Sequence, residues 1–570
     1  MYQITPQCVC CHNCAMECPR QAIYYLGLKY EIDQDKCIEC GLCAQICHTN
    51  SILEVGVETP VHPHPPLEKS CDVVVCGGSA GLVAAVRAAM LGKKVILLEK
   101  AKKLGGNSDY AGAFFPVYTK WHAEEGYADV REEAVEEFWS RTDHILDRDV
   151  LHTAVYGAGE FFDWLCELSP HKTRQAYKLV PFGSTRGAGP IYGPAMLSFL
   201  PNRVYENLLC RDPAIGPGKT GTFVKHQMLE TIQRERLNIE ILTEHAAAHL
   251  LTDASGNVVG VQANDPGGKT TIHAKAVILA TGGMGKSDEK LQKYFHFFDC
   301  ETPIHRFSVP TDTGDAIDML QELGVEPDPE RLFCSIFGPA HHPFSYCIFR
   351  ILDHPSCLSV NLNGIRWQDE TKGLHGGRFE IAKQPKEIAW GIFTQENIDR
   401  IIAEFRSDPR LAKEHWIYET YQQELEEEAA LPKPPVLIAD TLDELAQKLG
   451  IAPSALLATV RQYNEFCMAG EDTQFHKSPE HLRAIGEEGP YYAIYGQRFS
   501  EGAFGGLRVT PHCEVTREDG TIIPGLYGVG DATSAMHRSG KLAVISELSW
   551  ALTSAFVAGK QAANYTTRLM

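Results

Sequence analysis

Little in this sequence ties it to a membrane, a secretory route or a nucleic acid. Nowhere do about 18 apolar residues run together, the length a bilayer-spanning helix needs. The first residues, MYQITPQCVCC, hold no basic region followed by an apolar segment, so no secretory signal is expected. Positive charge is short. The 570 residues carry 53 Lys and Arg against 73 Asp and Glu, a net charge of -20 that disfavours a polyphosphate backbone or an anionic lipid surface. A disulfide framework is also missing. Ten of the 19 cysteines are scattered singly between Cys71 and Cys513, so the expected setting is a reducing cytoplasm with mostly buried thiols. What remains, 44% hydrophobic and 22% charged residues, is the balance of a globular chain long enough for three or four domains.

The other nine cysteines crowd into residues 8–47. They read Cys8-x2-Cys11-x2-Cys14-x3-Cys18-Pro19 and, 29 residues later, Cys37-x2-Cys40-x2-Cys43-x3-Cys47-His48. Each run is followed by a short apolar strand, QAIYYL and NSILEV. Three thiolates on one tight loop can cap three irons of a cubane while the fourth ligand comes from the other half. One [4Fe–4S] cluster is therefore assigned to Cys8, Cys11, Cys14 and Cys47, and a second to Cys37, Cys40, Cys43 and Cys18. Structural zinc is the competing reading, but it uses four ligands in two pairs rather than two matched quartets. Cys10 is left over as a non-ligand, and His48 stands where a proline would follow the fourth cysteine. Residues 1–57 resemble the bacterial two-cluster ferredoxin family along their whole length.

Residues 58–69 begin ETPVHPHPP, a proline-rich spacer whose histidines alternate with prolines and read as solvated. Then comes DVVVCGGSAGLVAAVRAAMLGKKVILLEK. Asp72–Val75 is expected as a buried strand, Leu82–Leu91 as an apolar-faced helix and Val95–Leu98 as a second strand. The loop between them puts glycine where backbone approaches a pyrophosphate at a helix N-terminus, and Glu99 follows where it can bind ribose hydroxyls. The glycine pattern is imperfect: counting back from Gly81 puts Gly78 second and Cys76 first. Gly218-Lys219-Thr220 mimics a GKT phosphate loop, but Pro213 occupies the earlier glycine position, so a plain loop before a helix over Thr222–Arg234 is expected.

Further motifs narrow the cofactor. Leu104-Gly105-Gly106-Asn107-Ser108 with Ala111-Gly112-Ala113, the strand Ala276–Gly283, Thr313-Gly314-Asp315 and Pro524–Asp531 recur in the order of the fumarate reductase/succinate dehydrogenase flavoprotein family. The chain resembles that family over about residues 70–570. The resemblance implies an α/β fold: a ferredoxin-like N-terminal domain, then a Rossmann-type FAD-binding domain at 70–299 and 486–570. An α+β capping domain is inserted at 300–485, and the substrate lies between cap and flavin. It also implies FAD contacts from Gly78, Ser79, Ala80 and Gly81, from Glu99 and Lys100, and from Gly105, Gly106, Asn107 and Ser108. Gly112, Ala113, Ala247, Thr281 and Gly282 follow, then Asp315, Gly530 and Asp531. A helix starting near Leu542 and Ala543 would aim its amides at the flavin N1/O2 edge, which becomes anionic on reduction.

The family's dicarboxylate clamp is only partly present. His342-Pro343 matches one substrate histidine, but Gly502–Gly506 replaces the segment that carries the second. Lys541 stands for the clamp arginine, and His375 and Arg378 are loose counterparts of the proton-donor arginine. Exchanging a bidentate arginine for lysine argues against a fumarate-shaped site. Phe504 and Phe499 point to a bulkier or aromatic substrate. The implied activity is an ene-reductase of anaerobic metabolism acting on an enoate or enone, with electrons entering from a ferredoxin- or flavodoxin-like donor protein or a partner subunit. A dehydrogenase running in reverse, adenylylsulfate-reductase-like sulfur chemistry and an electron-transfer subunit of a larger complex are the alternatives. Homo-oligomerisation is left open.

Overall fold

The computed structural model describes every residue except 6–7, 9–12, 17, 26–29, 48–50, 57–62, 112–113, 170–172, 174–176, 181–195, 200–219, 296–304, 307, 341–345, 373–376, 378–379, 408–420, 432–433, 534, 539–540, 543–546 and 570. In the N-terminal segment, β1 (Tyr2–Ile4) pairs antiparallel with β4 (Ile52–Glu54), and β2 (Ile23–Tyr25) with β3 (Tyr30–Ile32). Two short helices, α1 (Asn13–Met16) and α2 (Leu42–Ile46), sit in the two cysteine runs. The two halves pack into one small core of Ile4, Cys14, Ile23, Tyr30, Cys47 and Ile52, so the thiols themselves replace much of the apolar filling.

β5 (Leu67–Cys76) opens the main sheet. It begins inside the stretch read as a spacer and runs ten residues, longer than the expected strand. Its last four residues, Val73–Cys76, are fully buried, a continuous apolar run as a parallel strand covered on both faces requires. α3 (Ala80–Met90) crosses over to β6 (Val95–Glu99), parallel to β5. After α4 (Arg148–Leu168) and α5 (Thr220–Glu235), the chain returns in β7 (Ile239–Thr243), β8 (Ala246–Thr252), β9 (Val258–Asp265) and β10 (Gly268–Leu279). Strand order is β8-β9-β10-β5-β6-β7, the last four being parallel and β8-β9-β10 an antiparallel meander.

A second, six-stranded sheet follows. It contains β11 (His305–Arg306), β12 (Phe333–Ala340), β13 (Leu358–Asn361), β14 (Ile388–Thr394), β15 (Val436–Ala439) and the long β16 (Tyr491–Phe504). β16 pairs with β11, β12, β14 and β15 and lies beyond residue 485, the expected end of the cap. Its C-terminal end reaches the first sheet, where Met284 N donates to Ala503 O at 2.7 Å. The chain then rejoins the first sheet through β17 (Glu514–Thr516) and β18 (Ile522–Gly528), the latter parallel to β10. A two-strand ribbon, β19 (His537–Arg538) with β20 (Lys541–Leu542), precedes the closing helix α6 (Glu547–Arg568), which packs on α3 and α4. Leu542 is thus a strand residue opposite His537, not a helix start. The first described residue of the helix is Glu547.

Candidate functional site

The parallel strands β5, β6, β10 and β18 end on one side of the first sheet, and a cleft of about 730 Å³ lies there. This is where an open α/β sheet places a ligand. Gly77, Gly78, Ser79 and Ala80 line it at the end of β5. Gly77 has φ +120°, and a Cβ there would lie 2.0 Å from the Ala280 carbonyl oxygen. The glycine demanded by the tight turn is therefore Gly77, one position after Cys76. Ser79 is the N-cap of α3 and its hydroxyl caps nothing, so the first amides of the helix stay open to an anion. Gly78 faces the Glu99 carboxylate so closely that a Cβ would come within 2.3 Å of it. Gly81 is buried behind the loop, against Val75 and Ala280.

Glu99 itself is buried and accepts from Ala101 N at 2.8 Å. Burial pushes its carboxyl up to about 7, against the pull of the Ala101 and Gly78 amides and the Lys100 charge. Lys100 reaches Asp315 at 2.7 Å and the Thr313 hydroxyl at 2.7 Å, tying β6 to the helix Asp315–Gln321, whose N-cap Gly314 is left-handed with φ 76°. Gly105, Gly106, Asn107 and Ser108 form a further wall, and Ala247, Thr281, Gly282, Gly530 and Asp531 complete it. The sequence-predicted cofactor residues that are described thus surround one cleft, save Gly81 behind the loop and Leu542 on β20, whose side chain is not described. Gly112, Ala113 and Ala543 lie outside the described residues.

Asp531 is half-buried, and burial followed by the charges of Asp312 and Glu547 pushes its carboxyl well up. Asp312 is buried beside it and also raised, by burial, while accepting from Gly285 N at 3.1 Å. Asp312 and His245 also line the cleft, and no short motif marks either one. The contents fit a dinucleotide: open helix amides for phosphate, a buried acid for ribose, glycines that leave room for backbone contact, and a Thr281 hydroxyl that is buried without a partner among the described residues.

In the N-terminal segment, Cys18, Cys37, Cys40 and Cys43 line a single cavity of about 350 Å³ with Tyr2, Ile23 and Leu42. This is the second predicted quartet. Among the described residues, no group of three or more His, Cys, Asp or Glu is close-set enough to hold a single metal ion. Thiols arranged around a hollow rather than a point suit a cluster better than zinc. Of the first quartet, Cys14 and Cys47 are buried in the shared core with Cys8 against it, and Cys11 lies outside the described residues.

The expected clamp is scarcely described. His342, His375 and Arg378 lie outside the described residues, and Lys541 is described only as a backbone partner of Arg538. Arg366, just past β13, is committed elsewhere. It holds Glu370 at 2.8 Å and Asp472 at 2.8 Å inside the second layer, with Lys477 Nζ 3.2 Å from Glu370.

Residues 72–546 match the family model described as FAD binding domain. The chain belongs to this FAD-binding family. Residues 30–52, which hold Cys37, Cys40, Cys43 and Cys47, match the 4Fe-4S binding domain. The chain is 26% identical over 526 residues to a vinyl phenol reductase of Lactiplantibacillus plantarum, covering 87% of this chain and 97% of that one. It is 26% identical over 504 residues to a urocanate reductase of Eggerthella lenta, covering 87% and 74%. The fold is similar to that of a flavocytochrome c3 fumarate reductase solved in its open conformation, with TM-score 0.64 and 20% identity over 87% of this chain and 79% of that one. This protein is an FAD-dependent oxidoreductase. Among the described residues, no helix is long and apolar enough to cross a membrane.

Proposed function

We propose that the protein reduces an activated C=C bond of a small molecule, with electrons delivered to the flavin through two [4Fe–4S] clusters in the N-terminal segment. The observation that carries this reading is the presence, in one chain, of a four-thiol cavity and an FAD cleft. The clusters trade electrons singly and FAD in pairs, so the pairing converts a one-electron donor to two-electron chemistry. Relatives that span most of the chain and are named as reductases of vinyl phenol and urocanate support a C=C substrate. In functional terms residues 1–57 carry the clusters, the first sheet and its helices hold FAD, and the second sheet, with β16, covers the substrate.

FAD would be held by the β5–α3 loop, Glu99, Asn107 and Asp531, and when bound it supplies an electron pair and one hydrogen to an alkene carbon. The protein's share is to exclude water, orient the alkene and provide the second proton. Gly502 and Phe504 sit where a second carboxylate-binding histidine would be needed, so the substrate carries at most one carboxylate.

The test is anaerobic. The protein, loaded with FAD and iron, is reduced with a viologen and then mixed with enoates, enones and aromatic vinyl compounds. Rapid reoxidation of the flavin by one of these classes is the expected result. If none reoxidises it while a redox partner protein does, the chain is an electron relay and not a reductase of C=C bonds.

A further inference from the structure

His537 is a titratable group that none of the roles above uses. It lies in β19, just past Gly530 and Asp531, and is 1% exposed. Its ring stacks on Phe333 of β12 with centroids 3.9 Å apart at 18°, and lies near-parallel to Phe504 of β16 at 6.3 Å and 20°. The β19–β20 ribbon therefore delivers the histidine and the second sheet delivers the aromatic walls around it.

Its two nitrogens face different surroundings. Nε2 lies 3.2 Å from Oε1 of Glu547, the first residue of α6. Both nitrogens are buried without a hydrogen-bond partner among the described residues; among these, Nε2 meets the Glu547 carboxylate at ion-pair distance, and Nδ1 meets no charged group at that range. A buried ring nitrogen without a partner costs stability, which a group bound in the neighbouring space would relieve. A hollow of about 210 Å³ is lined by His537, Glu547, Phe504 and Met536, and by Gly530 and Asp531, which also line the FAD cleft. The imidazole therefore borders a space continuous in its walls with the cofactor site.

We infer that His537 is the acid that protonates the substrate, and that Glu547 is the carboxylate that positions its ring. This rests on the C=C reading above. Saturating the bond takes two electrons and two protons. The electron pair and one proton come from the reduced cofactor. The other proton leaves Nδ1 of the His537 imidazolium for the second alkene carbon: one N–H bond breaks, one C–H bond forms, and the π pair is consumed in it. Neutral imidazole then regains a proton from water.

Glu547 is suited to this. Desolvation raises its carboxyl, but contact with His537 lowers it more, so it stays ionised and can hold the ring in place. Asp531, from the preceding turn, lines the same hollow, and Arg538 follows His537 on the strand. Arg538 is held by Glu330 at 2.8 Å. Lys541 pairs with Arg538 across the ribbon.

The test uses the full chain loaded with FAD and iron, with His537→Asn and Glu547→Gln. Reduced protein is mixed with 2-cyclohexenone and with cinnamate, and the midpoint potential of bound FAD is titrated against pH. His537→Asn should slow reoxidation by about 10²–10³-fold at unchanged FAD stoichiometry, the range for a lost general acid. It should also remove a break in the potential-versus-pH line. Glu547→Gln removes the negative charge beside the ring, so the alkaline limb of the rate profile should move to lower pH while the low-pH rate is largely kept; a limb that stays in place overturns the positioning role. Reoxidation at the parent rate in His537→Asn overturns the proton-donor assignment and leaves the C=C reading intact. If neither acceptor oxidises the parent flavin, the C=C reading fails, and the potential decides His537. A break that persists in His537→Asn overturns its placement, and a break that vanishes upholds it.

Discussion

Glu99 lines the cofactor cleft and, through its burial, also links stability to pH. Its carboxyl is pushed up to about 7 by burial in the cofactor-free protein, from an ordinary value of 4.5. The folded chain thus holds this proton to higher pH than the unfolded chain does. The stability linked to it is complete below about pH 4.5 and is lost as pH climbs through about 7. FAD-stripped protein should therefore unfold at lower urea at pH 8 than at pH 5. Glu99→Gln should shrink that difference by roughly 3 kcal/mol, from 1.36 kcal/mol per pKa unit; an unchanged difference would assign the pH dependence to Asp312 and Asp531. Glu99 was legible in the sequence because an acid closing the second strand of a βαβ unit has a known geometric task. Asp312, His245 and His537 were not. Asp312 reaches the cleft only through contacts such as Val309 N to Asn107 Oδ1, 202 residues apart, which no local pattern encodes.

At the scale of elements, the sequence patterns were most informative where physics is local. The buried β5 run, the α3 crossover and the cysteine repeats all follow from short-range periodicity or spacing. The junction between β5 and α3 needed the structure, because the pressure on Gly77 comes from Ala280, the residue after β10. Ala280 N donates to Cys76 O at 2.8 Å, and this pins the carbonyl that a Cβ at Gly77 would strike. Backbone held in a parallel sheet cannot step aside. Gly77→Ala should cost about 2–3 kcal/mol, the scale of strain for a non-glycine residue at such a φ, and should empty the FAD site. Gly92→Ala separates strain from collision, since Gly92 has φ +81° but nothing within 4 Å of its added Cβ. Urea midpoints and FAD absorbance per chain would check both. If the two variants lose equal stability, close approach at Ala280 is not the reason for the glycine. The end of the ribbon misled sequence reading for a related reason: Leu542 looks like a helix start by analogy, yet its backbone is claimed by pairing with His537.

At the scale of the whole molecule, the proposed electron path needs a joint between the thiol cavity and the cleft. Lys103 offers a joint. It sits in the loop after β6, two residues before Gly105, which lines the FAD cleft. Its Nζ donates to the carbonyls of Ala44 at 3.1 Å and Gln45 at 3.0 Å. Those residues lie in α2 between Cys43 and Cys47, which are assigned to different clusters. A cation on the last carbonyls of a helix is favourable in charge as well as in hydrogen bonding. One flexible side chain thus links the cluster loop to the flavin loop across an exposed seam. Lys103→Met keeps the length and removes both donors. Losing about 1.4 kcal/mol of docking would lower the docked population about tenfold if the two parts are held mainly by this contact. With iron and FAD contents unchanged, the expected result is about a tenfold slower viologen-to-flavin transfer in stopped flow, and an unaltered reoxidation of flavin already reduced. Added salt should slow the parent protein toward the variant and leave the variant nearly unmoved, because only the parent has a charge to screen. Transfer at the parent rate in Lys103→Met, at low and high salt alike, would mean that the clusters and the flavin are coupled through some other contact.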